Sequence, residues 1–168
     1  MTVPPPLGGA PDGAAAARAH RILAFALLSA PLYILVALVF AAPPAEEDLP
    51  TWVAAAAIAL VAAGWLLAQT IGYRVAPLTS TDGPAVAVQR FQQSALLRFV
   101  LTEVPIIIGI ASVFVLPYGI WSFVVALVVG LPAMALHVWP SRRVVDKVAT
   151  ALESGGVPSA LRETFGHR

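Results

Sequence analysis

The chain has no cysteine and little charge. Among its 168 residues, charged side chains make up 11%, against about 25% in a typical soluble domain. The absence of cysteine excludes disulfide bonds, thiolate metal sites and cysteine nucleophiles. The scarcity of charge excludes an ordinary soluble domain, and the formal net charge of +1 excludes the broad basic surface that nucleic-acid binding requires.

Apolar residues, by contrast, make up 59% of the chain. A helix needs roughly 20 residues to cross a hydrocarbon core about 30 Å thick, whereas a barrel strand needs about 9–11. Four stretches have the length of helical spans: residues 22–42, 51–73, 99–116 and 120–139. We therefore predict an all-α integral membrane protein, a bundle of four transmembrane helices with the lipid bilayer as its surroundings.

The basic residues are unevenly distributed around these spans. Two precede the first span, three lie between the second and third, and five follow the fourth, whereas Glu46, Glu47 and Asp48 lie between the first and second. Basic residues accumulate on the cytoplasmic side of membrane proteins. We predict a multi-pass protein of the bacterial inner membrane with both termini in the cytoplasm.

The segments outside the spans carry their own signals. Residues 1–21 begin rich in proline and glycine and are predicted to be a disordered cytoplasmic segment. Asp82-Gly83-Pro84 can start a helix with Asp82 as its cap. Residues 140–168 are predicted to be a cytoplasmic amphipathic tail, with a helix lying on the anionic leaflet. Its apolar face comprises Val144, Val145, Val148 and Leu152.

The first and third spans resemble each other. Residues 26–40 align without gaps on residues 100–114, and Pro31 matches Pro105. This match predicts two tandem hairpins that cross the membrane in the same direction, related by an axis along the membrane normal. Because proline removes a backbone donor, we predict helix breaks at Pro31, Pro105 and Pro132.

The second span contains two series of small residues at every fourth position, Ala55, Ala59, Ala63 and Gly64, Ala68, Gly72. Small residues at this spacing let helix backbones approach closely in lipid. The general abundance of alanine is the alternative explanation. We expect the second span to pack closely and to be the most buried of the four.

Three polar side chains are predicted to lie at one depth. Gln69, Glu103 and His137 are each five residues from an arginine that marks the inner end of a span, which places them about 7.5 Å inside it. Such a polar layer would form a proton- or ion-responsive site, because ionisable groups within a membrane commonly mark ion pathways. The alternative is an interfacial role, in which Arg98 pairs with Glu103 along one helix.

The sequence Phe99-Val-Leu-Thr-Glu-Val-Pro-Ile-Ile-Ile-Gly-Ile resembles the carboxylate helix of rotor subunit c of rotary ATP synthases. The resemblance implies that Glu103 corresponds to the ion-carrying carboxylate and that Thr102 is a neighbouring ligand. As a whole, the chain resembles small four-helix membrane proteins of bacteria, a resemblance that implies no activity.

The sequence contains no phosphate-binding glycine loop, no paired nucleophile and base, and no metal-ligand spacing. We therefore expect no enzymatic activity, no cofactor and no metal. The predicted function is that of a structural or accessory subunit, which associates with itself or with a larger membrane complex. The alternative is a proton- or cation-linked transport or channel component that uses the polar layer around Glu103.

Overall fold

The computed structural model describes residues 13–167, and all its regular elements are helical. They are α1 (Gly13–Ala41), α2 (Thr51–Thr70), α3 (Pro84–Val115), α4 (Trp121–Val138), α5 (Arg142–Leu152), a 3-10 turn (Glu153–Gly155) and α6 (Leu161–Thr164). The first four helices are long and apolar enough to cross a membrane. The prediction of four apolar spanning helices is confirmed.

Three of the long helices form the centre of the bundle. α3 and α4 pack together most extensively, and α2 packs against both, whereas α1 rests mainly on α4. In the most apolar stretch of each helix, 22% of the residues are buried in α2, against 39% in α3 and 44% in α4. The expectation that the second span is the most buried is therefore wrong, because α2 buries a single face.

The two small-residue series lie on different sides of α2. Gly64, Ala68 and Gly72 are buried, while Ala55, Ala59 and Ala63 are exposed. A Cβ atom on Gly64 would lie 2.6 Å from the carbonyl oxygen of Leu101 in α3, far closer than an ordinary contact. The buried face, with Gly64, Ala68 and Gly72, brings the backbones of α2 and α3 together, as the spacing predicts.

Several helix ends differ from the prediction. α1 begins at Gly13, so residues 13–21 are helical where disorder is predicted, and residues 1–12 lie outside the described part of the chain. Alanines favour helix at this end, and Ala17 is buried against the C-terminal segment. α3 begins at Pro84 as expected, but its cap is Gly83, because the Asp82 carboxylate instead accepts bonds from Thr79 N and Arg90.

The three predicted helix breaks do not interrupt any helix. α1 continues through Pro31, α3 through Pro105 and α4 through Pro132. In a membrane helix, packing against neighbours and local adjustment compensate for the missing donor. The predicted duplication stays a prediction, and the two halves pack differently: α3 and α4 form a close pair, whereas α1 has little contact with α2.

Residues 142–167 fold back onto the bundle as a compact unit, which we call the cap. The apolar face of α5 is fully buried. It packs against the N-terminal ends of α1 and α3 and against the α2–α3 connection. Leu78 N donates to the Leu152 carbonyl (2.8 Å), and Arg21 Nη2 donates to the Phe165 carbonyl (3.1 Å). The expectation that this face lies on a lipid leaflet is wrong, because Phe91 and its neighbours offer it an apolar protein surface.

A polar network holds the cap together. Arg162 Nη1 donates to Glu153 Oε2 (2.7 Å) and Arg162 Nε donates to Asp146 Oδ1 (3.0 Å). Ser159 Oγ donates to the other oxygen of Glu153 (2.7 Å). Burial raises the pKa of Glu153, but the bonds from Arg162 and Ser159 outweigh burial, so this pKa lies below its ordinary value of 4.5.

Candidate functional site

The residues of the predicted polar layer separate into two groups. His137 and Gln69 each bond to a residue of another segment. Glu103 is half-buried on α3 and, among residues 13–167, makes no hydrogen bond or ion pair. Five residues turn a helix by about 140°, so Arg98 and Glu103 point to different sides of α3. Arg98 faces α2, and the alternative pairing of Arg98 with Glu103 is not formed.

His137 lies in the last turn of α4 and is 1% exposed. Its Nδ1 atom is 3.2 Å from the hydroxyl of Tyr73, just beyond the end of α2. Its ring also lies 5.9 Å from that of Trp65, centroid to centroid. His137 Nε2 is buried without a hydrogen-bond partner in the described part of the chain. The imidazole is thus held in place by one bond and by aromatic packing.

Arg98 is the most unusual member of the site because its charged side chain is 0% exposed. Its guanidinium carbon lies 4.3 Å from the centroid of the Tyr73 ring, a distance at which the ring face attracts a cation. Nη1 donates to Ser94 Oγ (3.1 Å), but Nε and Nη2 have no partner within residues 13–167. A buried guanidinium without a carboxylate partner is energetically costly.

Lys147, on α5 of the cap, contacts both Gln69 and Tyr73. Its Nζ atom donates to Gln69 Oε1 (2.7 Å) and lies 4.0 Å from the centroid of the Tyr73 ring. The Tyr73 ring therefore contacts one cation from α3 and one from α5. We call Gln69, Tyr73, Arg98, His137 and Lys147 the cationic cluster. It joins α2, α3, α4 and α5 at one end of the bundle.

The charges that act on Lys147 are all positive. Burial lowers the pKa of its ammonium group, and repulsion from Arg143 and Arg98 lowers it further. Removing the charge of Lys147, or supplying a negative charge beside it, would relieve this repulsion. The arrangement is suited to holding the ends of the helices together and to attracting an anion.

The sequence near Gly72 explains how Arg98 enters the bundle. The position of a Gly72 side chain is taken by Cγ of Arg98, so any larger residue would push the arginine out. Ser94, one turn earlier on α3, donates to the Gly72 carbonyl (2.7 Å) and accepts from Arg98. The third member of the buried small-residue series thus makes room for a charged side chain.

Thr102 is buried, and its hydroxyl donates to the Arg98 carbonyl of its own helix (2.9 Å). Such a bond is usual for threonine in membrane helices. The role that the ATP synthase resemblance implies for Thr102, a ligand beside Glu103, stays a prediction.

Sequence reasoning missed Arg98, Tyr73 and Lys147. In the sequence Arg98 marks the inner end of a span, yet it lies among the apolar residues Leu96, Leu97, Phe99 and Val100. An arginine embedded in such a run was the available signal. Nothing in the sequence indicates that Lys147 reaches Gln69, which lies 78 positions earlier, because that contact depends on how the cap folds.

The described residues contain no group of three histidine, cysteine, aspartate or glutamate side chains that could hold a metal ion. No family model, curated protein or solved structure in the comparisons matches the chain. A functional proposal can therefore rest on three features of the described chain: the cationic cluster, the half-buried Glu103 and the exposed alanines of α2.

Proposed function

We propose that the protein is a small, non-enzymatic, multi-pass membrane protein that serves as a structural or accessory subunit. In this proposal α2 packs against a helix of a second copy or of a larger membrane complex. The observation that supports it is the exposed face of α2, where Ala55, Ala59 and Ala63 point away from the bundle.

This face has the chemistry of a helix–helix interface. In lipid, apolar side chains gain little by leaving the membrane for a protein partner, so close backbone packing drives association. The opposite face of α2 already uses this spacing, since Gly64 approaches the backbone of α3. The exposed alanines would allow a similar approach by a helix from outside the chain.

The cationic cluster is consistent with a structural role. Its bonds and ring contacts connect the ends of α2, α3 and α4 to the cap. A subunit whose cap is fastened in this way presents a fixed surface to a partner. Gln69 Oε1 and His137 Nδ1 make two of these bonds.

A larger side chain in place of Ala59, at the centre of the exposed face of α2, tests the proposal. Ala59→Leu should reduce association by about tenfold, since one unfavourable contact of about 1.4 kcal/mol suffices. Energy transfer between labelled copies in liposomes measures self-association, and recovery of co-purifying subunits measures a larger complex. Ala37→Leu adds the same volume to an exposed position of α1 and should change neither. Equal association of both variants and the original chain would contradict the proposal.

We place both termini in the cytoplasm of a bacterial cell, with the cap on the cytoplasmic face of the inner membrane. The distribution of basic residues supports this orientation. The chain has no cysteine, so a single cysteine in place of Ser154 can be labelled without background. An impermeant maleimide should leave it unlabelled in intact cells and label it after lysis.

A proton- or cation-linked transport role remains the alternative because of Glu103. This carboxylate lies in a spanning helix, is half-buried and has no polar partner in the described chain. Ionisable residues in such positions commonly serve ion pathways. Glu103→Gln should then abolish a pH-gradient-driven flux in liposomes, whereas Glu47→Gln in an exposed loop should not. Absence of flux with the original chain would favour the structural proposal.

A further inference from the structure

A cavity of about 300 Å³ opens between α1 and α3, beside the cap. Its inner wall includes His20, Ala24 and Val138, and its two ends differ in chemistry. The end near the start of α3 carries the amides of Gln89, Gln92 and Gln93, while the other carries Leu23, Leu27 and Leu96. The volume is at the lower limit of small-ligand sites.

His20 in the wall of this cavity has unused hydrogen-bonding capacity. The residue is 4% exposed, and neither ring nitrogen makes a hydrogen bond in the described part of the chain. Phe91 and Phe165 pack edge-on against the ring, with centroids 5.0 and 5.9 Å away. The Val138 backbone lies beside it, and with one nitrogen turned to that carbonyl the other still lacks a partner. Buried polar groups are normally satisfied.

The residues that line the cavity indicate which class of ligand it can hold. Among residues 13–167, no lysine, arginine, aspartate or glutamate lines the cavity, and His20 is the one ring-bearing side chain in its lining. Neutral N–H donors at one end suit uncharged carbonyl oxygens rather than a phosphate, which arginine recognises better. The leucines suit a flexible chain, and the lack of phenylalanine, tyrosine and tryptophan in the described lining disfavours a flat conjugated ring such as that of a quinone.

We propose that this cavity holds the ester region and part of one acyl chain of a phospholipid. An ester carbonyl accepts hydrogen bonds from His20 and from the glutamine amides, and the acyl chain runs along Leu23, Leu27 and Leu96. Leu23 and Leu96 are exposed and Leu27 is half-buried, which places the chain at hydrocarbon depth, and the exposed glutamines place the ester at the interface. The site is independent of the α2 face and of Glu103.

The flank of this site indicates which phospholipid is preferred. Gln93 also lines a cleft of about 230 Å³ with Arg74 and Arg90. Arg90 is partly neutralised by Asp82 (3.2 Å), whereas Arg74 is exposed. Basic clefts between membrane helices attract anionic headgroups. The phosphate of the seated lipid therefore faces a positive flank, which favours phosphatidylglycerol over phosphatidylcholine.

Photolabelling of the full chain tests this site. The probe is phosphatidylglycerol with a diazirine in one acyl chain, added to phosphatidylcholine nanodiscs and followed by peptide mapping. We expect adducts on α1 near Leu23 and Leu27 and on α3 near Leu96. His20→Leu should reduce them about tenfold, the loss that follows removal of a buried donor, and His20→Gln should restore part of the labelling.

Two further variants distinguish a defined site from general lipid contact. Leu27→Trp fills the cavity and should abolish the adducts, while Val128→Trp on the exposed side of α4 should leave them unchanged. Circular dichroism identifies variants that fail to fold. The proposal would be overturned by adducts spread evenly over the exposed faces of α2 and α4. It would also be overturned if neither His20→Leu nor Leu27→Trp changed the labelling. Displacement of the lipid by equimolar decylbenzoquinone would overturn the choice of ligand.

Discussion

The guanidinium of Arg98 lies over the ring of Tyr73, 4.3 Å from its centroid. This contact compensates part of the cost of a charge that is 0% exposed and has two nitrogens without partners in the described chain. A cation over an aromatic ring gains about 0.5–2 kcal/mol, whereas an unpaired buried charge costs several. The ring of Tyr73 should therefore matter more to stability than its hydroxyl.

Replacing Tyr73 in two ways tests this. Tyr73→Phe loses the bond to His137 and should lower the free energy of unfolding by about 1 kcal/mol. Tyr73→Leu also loses the cation contacts and should cost about 2 kcal/mol more. Unfolding in mixed micelles measures both. In an Arg98→Met background the difference between Phe and Leu should shrink, and equal costs with Arg98 present would contradict the role of the ring.

Gly64 should tolerate no side chain. Its Cβ would lie 2.6 Å from the Leu101 carbonyl oxygen and 3.1 Å from Pro105 Cγ, so α2 and α3 must separate. Gly64→Ala should lower the free energy of unfolding by about 1–3 kcal/mol, despite alanine's higher helix propensity. Ala62→Val, on the exposed side of α2, should change stability by less than about 0.5 kcal/mol. A stable Gly64→Ala variant would show that the helices are not in contact there.

The sequence predicted the four spans because membrane helices need long apolar runs, a signal that survives without tertiary information. The start of α3 at Pro84 was also predictable, since proline marks helix beginnings. The burial of α2 was not predictable, because one small-residue face meets α3 while the other faces outward.

The cationic cluster depends on long-range packing. Equal depth describes the position of a residue along the membrane normal alone. Contact between side chains also depends on how each helix is rotated about its own axis. Gln69 and His137 are anchored by Lys147 and Tyr73, two residues outside the predicted polar layer. The amphipathic face of α5 carried the right pattern, but the pattern alone does not distinguish a lipid surface from a protein surface.

Acid should loosen the cap through Glu153. Its pKa is lowered below 4.5, so its contribution to stability is complete above that ordinary value and is lost as the pH falls through the lowered pKa. Hydrogen exchange of a peptide covering residues 157–167, corrected for intrinsic rates, should show protection falling in this range. Glu153→Gln should reduce protection at pH 7 by about 1 kcal/mol and flatten the profile. An unchanged profile would contradict the role of Glu153.

A negative charge beside Lys147 should stabilise the protein. Lys147 Nζ already bonds to Gln69 Oε1 at 2.7 Å, and the charges acting on it come from Arg143 and Arg98. Gln69→Glu keeps the size of the side chain and supplies a counter-charge to the cationic cluster. At pH 7 it should raise the free energy of unfolding by about 1 kcal/mol, the upper range for a partly exposed pair.

Salt and position provide the controls for this substitution. The gain from Gln69→Glu should decrease in 1 M salt, where the screening length is about 3 Å. Gln92→Glu adds the same charge to α3 on an exposed side chain that makes no hydrogen bond in the described chain, and it should not stabilise. If Gln69→Glu destabilises the protein, the cost of placing a carboxylate at this depth exceeds its attraction to Lys147. If it stabilises, the cluster is electrostatically incomplete as it stands, and an anion is the chemistry that would complete it.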